Sequence, residues 1–304
     1  MYRKDQAALT PPLGWNSWDC YGPAVNEEQL LGNAQYMADH LKAHGWEYVV
    51  CDIQWYEPEA GKYHWEYNRF AQLCMDDYGR LMPAVNRFPS AADGAGFKPI
   101  ADRIHAMGLK FGIHIMRGVP RLAVHNRLKV KGTDISCHEI AHRNSICAWN
   151  TDMYGVDADK PGAQAYYDSI FALYADWGVD YVKVDDICNV KATPLEEYSA
   201  RREIEMIRTA IDRSGRSMVL SLSPGPAVIG EAWHMAKYAN MWRITDDFWD
   251  NWPSLLEMFW RCEVWQAHVQ PGRYPDCDML PLGRIAITAD GKGHYTNFTK
   301  PEQI

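Results

Sequence analysis

Two stretches decide the fold, WGVDYVKVDD at 177–186 and MWRITDDFWD at 241–250. In each, a short apolar run ends in a pair of carboxylates, with a cation just before them, Lys183 in the first and Arg243 in the second. An uninterrupted apolar run suits a strand buried on both faces, and acids at its exit mark the point where the strand opens into a loop. Working outward, the same unit recurs along the chain. YVVCD closes at Asp52, LKFGIH closes at His114, and MVLSLS covers 218–223; WNSW at 15–18 and PDCDML at 275–280 supply a first and a last candidate. Between these seven strand candidates lie helical patterns. Asn26 caps a helix over 27–44 whose Leu30, Ala34, Met37, Ala38 and Leu41 share one face before Gly45 stops it. FKPIADRIHAMG follows the same logic, and Ala163, Tyr167, Ile170, Tyr174 and Trp177 line a helix closed by Gly178. Further helices are predicted over 196–213, around 230–238 and over 254–267.

Strict alternation of strand and helix implies a parallel sheet with right-handed crossovers. Asp52, His114, Asp185, Asp186, Asp246 and Asp247 all fall at strand exits. An open doubly wound sheet concentrates its site at one switch point, whereas a barrel gathers every strand exit around one axis. The predicted fold is therefore α/β, a (β/α)8-type TIM barrel incomplete at its C-terminal end with about seven strands, one catalytic barrel domain over 1–304.

Composition narrows the function. The chain has 304 residues, 47% hydrophobic and 12% aromatic, which excludes a disordered or disulfide-stapled module. Its 31 basic and 39 acidic residues give a net charge of −8, against the basic excess of nucleic-acid and anionic-membrane binders. No run of about 18 apolar residues appears, and MYRKDQAALTPPLG has no apolar segment of a secretory signal. Eight cysteines are scattered singly without a CxxC, as mostly reduced, buried thiols would be, which points to the cytoplasm, or to secretion if a signal peptide has been removed. Neither GxGxxG nor GxxxxGK[ST] occurs, so no nucleotide cofactor is expected.

Two carboxylates across one cleft are the minimum equipment for cleaving a glycosidic bond, one to attack the anomeric carbon and one to protonate the departing oxygen. A neighbouring Lys or Arg keeps one of them ionised. The plainer reading of such acids is that they cap the next helix. HEIAH at 138–142 matches the zinc-protease pattern, with His138 and His142 as ligands and Glu139 as base. The flanking residues lack the helical periodicity that this site needs, so an exposed loop is expected instead.

GWNSWD (14–19), NRFPS (86–90), GLKFGIH (108–114), WGVDYVKVDD (177–186), WRITDDFWDNW (242–252) and PDCDML (275–280) together resemble the α-galactosidase (melibiase) family of retaining glycosidases, in that family's order. The resemblance implies a β/α barrel followed by a small antiparallel β domain, of which this chain carries only the barrel. It implies hydrolysis of a terminal α-galactoside with retention, without metal or organic cofactor. Carried over by position, the nucleophile falls on Asp185 and the general acid/base on Asp247, 62 residues apart, or two βα units. Lys183, Arg243, Asp52 and Trp18 match sugar-contacting positions, and His114 stands where the family has a tyrosine; Asp186 and Asp246 are read as supporting groups behind the site, capping groups or substrate contacts. The expected partner is a carbohydrate, with a homo-oligomer as a further possibility.

The departures concern the sugar. Where the family reads Asp-Asp-Cys-Trp after the second strand, this chain has Asp52-Ile53-Gln54-Trp55, so one of two hydroxyl-gripping carboxylates is replaced. Where the family carries Cys-Glu-Trp facing the sugar 2-position, it has Ser223-Pro224-Gly225. Changed polar partners shift selectivity by orders of magnitude. An α-galactoside, N-acetylgalactosaminide, β-L-arabinopyranoside or isomaltosyl unit all suit the chemistry, and a sugar-binding barrel without turnover is the alternative from another class. Arg117, in HIMRGVPRLAV, is a further candidate for the cleft.

Overall fold

The computed structural model describes residues 2–61, 71–190, 198–288 and 290–303. Its centre is a curled sheet of seven strands: β1 (Gly14–Asn16), β2 (Tyr48–Cys51), β3 (Lys110–Met116), β4 (Tyr181–Asp185), β5 (Val219–Leu222), β6 (Met241–Arg243) and β7 (Tyr274–Asp276). Each strand pairs in parallel with its neighbour in sequence, in the order β1 to β7. This is the sequential right-handed winding of an incomplete β/α barrel.

Helices α1 (Glu27–His40), α2 (Lys98–Ala106), α3 (Ala163–Trp177), α4 (Arg201–Ser214), α5 (Ala232–Tyr238) and α6 (Trp252–Trp265) fill the connections. Asn26 accepts from the Gln29 N–H at 2.9 Å to start α1, as the capping pattern predicts. Helix α1 ends at His40, a few residues short of the predicted stop; a 3-10 turn over Lys42–His44 leads to Gly45 at φ 90°. The first residues predicted for α4, 196 and 197, lie outside the described residues.

Side-chain alternation builds two layers inside the sheet. The lower one packs Tyr48, Val50, Val219 and Tyr274 with Tyr181 and Met241. Gly112 of β3 belongs to this layer, where a Cβ would stand 2.9 Å from Val50 and 3.0 Å from Tyr181. Residues 3–9 close this end: Asn240 Nδ2 donates to the Lys4 carbonyl at 3.1 Å, and the Arg273 guanidinium pairs with Asp5 at 3.0 Å. At the other end, the Ala286 N–H donates to the Asp19 carbonyl at 2.8 Å, joining the chain beyond β7 to the chain beyond β1. The aromatic residues go chiefly to the outer core, where Trp55, Phe88, Phe97, Phe111 and Trp177 meet edge-on or tilted.

Between β3 and α3 the structure departs from the predicted plain loop. Val119–Pro120, Ala141–Ile146 and Met153–Val156 form a small antiparallel sheet. The HEIAH reading fails within it: the helix there is a single turn, Cys137–Ile140, and His142 is already in a strand. The two histidines therefore do not share a helical face, and His138 contacts Arg143. Among the described residues, no helix is long and apolar enough to cross a membrane.

Candidate active site

The floor comes from β2, β3 and β4. The parity that packs Val182 and Val184 against the outer core turns Tyr181, Lys183 and Asp185 toward the barrel axis. His114 stands opposite Lys183 in the ladder. Lys183 Nζ donates to Asp52 Oδ2 at 3.0 Å, and Asn16 Nδ2 donates to the same oxygen at 2.7 Å. His114 Nε2 lies 3.0 Å from Asp185 Oδ2, and with Asp185 ionised the imidazole is the donor. The His114 carbonyl is itself fixed, accepting from Trp55 Nε1 at 2.7 Å.

Electrostatics follow from these contacts. Burial pushes the Asp185 carboxyl up, but the His114 bond and the charges of Lys183 and Arg243 outweigh it and hold the group well below the ordinary carboxylate range. Asp52 is lowered in the same way, against its burial, by Lys183, His114 and Asn16. Burial lowers Lys183, yet Asp52 and Asp185 raise it overall, so the ammonium stays charged.

The wall comes from β5, β6 and β7. Arg243 Nη2 donates to Asp247 Oδ1 at 2.9 Å, Nη1 donates to Ser223 Oγ at 3.2 Å, and Nε lies 3.3 Å from Asp278 Oδ1. Residue 225 must be glycine: a Cβ there would stand 2.2 Å from the Thr245 carbonyl oxygen, because the loop after β5 lies directly on the end of β6.

Floor and wall enclose a cavity of about 370 Å³ lined by Trp18, Asp52, Ile53, Trp149, Lys183, Asp185, Pro224, Asp246 and Asp247. Its size is that of a small-ligand site. Six predicted site residues thus share one cavity. His114 and Arg243 are buried behind it and meet it through Asp185 and Asp247. Asp186 does not line it. A left-handed backbone (φ 56°) turns this side chain off the strand, and Arg117 Nη2 pairs with it at 2.9 Å. Arg117 also leaves the cleft, pairing with Glu203 at 2.8 Å. Burial pushes Asp186 up to about 6 against the pull of Arg117.

Sequence reasoning gave no role to Trp149, Pro224, Asn16, Asp19 or Asp278. Asn16, Asp19 and Asp278 lie inside quoted motifs, WNSWD and PDCDML, whereas Trp149 sits in an irregular segment with no periodic signal. Asp19 is 6% exposed, and neither of its carboxylate oxygens has a hydrogen-bond partner among the described residues. No group of three or more metal-ligating side chains occurs among the described residues.

A parallel β/α barrel with opposed carboxylates, an attendant Lys and Arg, and aromatic side chains around one strand-exit cavity has the build of a glycosidase barrel. The profile of the family described as Alpha galactosidase A (melibiase) matches residues 151–296. A GH27 β-L-arabinopyranosidase from Geobacillus stearothermophilus superposes with a TM-score of 0.94 at 59% identity, over 99% of this chain and 68% of that one. Alpha-galactosidase 3 of Arabidopsis thaliana is 29% identical over 95% of this chain and 52% of its own length. Alpha-N-acetylgalactosaminidase of Gallus gallus is 28% identical over 92% and 60%. The chain belongs to the α-galactosidase (melibiase) family, GH27. It spans about 52–61% of the length of the curated relatives it matches.

Proposed function

We propose that this barrel is a retaining glycoside hydrolase that cleaves terminal β-L-arabinopyranosides. Asp185 attacks the anomeric carbon as the bond to the aglycone oxygen breaks, and Asp247 gives that oxygen its proton. Asp247 then deprotonates a water, which attacks the same carbon and releases Asp185. The ionised state of Asp185 supports its part as nucleophile. Asp52 and Lys183 offer an acceptor and a donor to ring hydroxyls, and Trp18 offers a flat apolar face.

The observation that carries the sugar assignment is Ile53 in the cavity lining beside Asp52. L-arabinopyranose has the hydroxyl arrangement of D-galactose without the C6 hydroxymethyl, and its β-linkage matches the geometry of an α-galactoside. An isoleucine offers no hydrogen bond to a C6 hydroxyl and fits a ring that has none. The 59% identity with a β-L-arabinopyranosidase supports the same reading. An N-acetylgalactosaminide is disfavoured: Ser223 is fully buried on Arg243, leaving Pro224 at the lining to face the sugar.

Initial rates with p-nitrophenyl β-L-arabinopyranoside, α-D-galactopyranoside and α-N-acetylgalactosaminide test this. We expect the first to have the highest kcat/KM, and Ile53→Asp to move the arabinoside-to-galactoside ratio toward galactoside by about tenfold or more. A galactoside preference in the unaltered protein overturns the sugar assignment. If no glycoside is turned over while arabinose still raises the melting temperature, the protein is a sugar-binding barrel instead.

A further inference from the structure

The wall of the cavity contains a carboxylate that touches no part of it yet grips what holds Asp247. Asp278 stands on the turn after β7 with its side chain 3% exposed and its backbone at φ 71°. Its Oδ1 lies 3.3 Å from Arg243 Nε, and its Oδ2 accepts from the Phe248 N–H at 2.8 Å. Phe248 directly follows Asp247, and Arg243 is the group that donates to Asp247 at 2.9 Å. Asp278 thus holds Asp247 from two sides, through the guanidinium that binds its carboxylate and through the adjoining backbone. We propose that Asp278 is a positioning residue for Asp247, anchoring its loop and fixing the Arg243 guanidinium that donates to it. The inference rests on the proposed hydrolase and adds a residue to its acid/base step.

The charges around Asp278 define what it does. Arg243 faces it from β6 and Lys183 from β4, both cationic; Asp276 precedes it on β7, and Asp19 faces it from the short helix Trp18–Tyr21. Cys277 beside it has its thiol pushed up to about 12 by burial and stays neutral. Burial pushes the Asp278 carboxyl up to about 6 against the pull of Arg243 and Lys183. It shares one guanidinium with Asp247, taking Nε while Asp247 takes Nη2. Sharing that guanidinium, Asp278 fixes the orientation from which Arg243 donates to Asp247, and with it the place from which Asp247 can reach a departing oxygen.

Asp278→Asn separates the two contacts, since its amide oxygen still accepts from the Phe248 N–H while the charge on Arg243 is lost. The unaltered protein and the variant are compared on two arabinopyranosides, one with 2,4-dinitrophenol and one with methanol as leaving group. We expect kcat/KM for the methyl glycoside to fall about tenfold or more, because its poor leaving group needs the proton. For the dinitrophenyl glycoside, which leaves without one, we expect a loss under about threefold. Asp278→Glu, which keeps the charge, should recover most of the loss on the methyl glycoside. Equal losses on both glycosides, or an Asp278→Glu that recovers nothing, make Asp278 a structural residue and overturn the proposal. If Asp278→Asn does not fold, Asp278→Ser, which frees volume and keeps a hydroxyl for Phe248, carries the same expectations. Should the unaltered protein turn over neither glycoside, the hydrolase reading falls and this one with it; turnover with variants that track the unaltered protein defeats this inference alone.

Discussion

The floor made by β2, β3 and β4 and the wall made by β5, β6 and β7 each present one central aspartate to the cavity, in opposite circumstances. The Asp185 side chain is 11% exposed and sits between His114 and Lys183, whereas the Asp247 side chain is 52% exposed and is held by Arg243 at the end of a loop. On the floor, cations and a hydrogen bond overcome burial and fix an ionised carboxylate in one place. On the wall, the carboxylate stands half in solvent and is held by a single guanidinium. A group that attacks carbon gains from being charged and fixed in advance, while a group that gives and takes a proton needs access to both states. The difference in environment thus assigns two roles to two chemically identical side chains.

The largest expected effect breaks the floor. Asp185→Asn should lower kcat by about 10⁴-fold or more while leaving arabinose binding within about threefold, as read by initial rates and by titration calorimetry. Turnover within tenfold of the unaltered protein would leave the nucleophile elsewhere. The wall should answer differently. Asp247→Ala should lose about 10²- to 10⁴-fold on a methyl glycoside and far less on a dinitrophenyl glycoside, because only the former needs the proton. If the two variants respond alike to the leaving group, the division of roles between floor and wall is wrong.

A smaller effect sharpens the account of the floor. His114 is fully buried and its Nε2 bond is among the causes that lower Asp185. His114→Phe removes a hydrogen bond to a charged group, worth about 1.5–3 kcal/mol, or about 10- to 100-fold in rate. The sign follows: without that bond the Asp185 carboxyl rises toward its ordinary range, so the acid limb of the kcat/KM profile should move to higher pH. An acid limb that stays in place would show that Lys183 and Arg243 suffice.

How much of this was legible in the sequence depends on how local its cause is. The strands of floor and wall were readable, because YVVCD, YVKVDD and MWRITDD carry their own burial pattern and their own exits. Helix α3 was readable to the residue, because Tyr167, Ile170, Tyr174 and Trp177 repeat at helical spacing before Gly178. The place of Asp186 was left open between supporting, capping and substrate contact, since alternation sends residues 183 and 185 inward but cannot foresee the left-handed turn at 186 that gives its side chain to Arg117. The antiparallel strands over 119–156 were missed because they are short and lack alternation. Asp278 lay in a recognised motif, yet its partners Arg243 and Phe248 are 35 and 30 residues away, and no local spacing announces such a meeting.

The smallest effect concerns Asp19, behind the junction of floor and wall. Burial, and after it the nearby Asp278, pushes its carboxyl up to about 8, and no donor among the described residues satisfies either oxygen. Its folded value lies above the roughly 3.9 of an unfolded chain, so the folded state binds the extra proton. The stabilising contribution is therefore fully present below about pH 4 and is lost progressively as pH rises toward 8, by at most about 1.4 kcal/mol per pH unit. Asp19→Asn abolishes that titration. Its buried amide adds an offset of its own, but one that does not change with pH, so the informative quantity is the slope and not the absolute difference. Melting temperatures of the two proteins, measured from pH 5 to pH 8, should diverge in favour of the variant as pH rises, by several degrees across the range. A difference that is flat over this range would mean that Asp19 is ionised throughout and has found a donor that satisfies it.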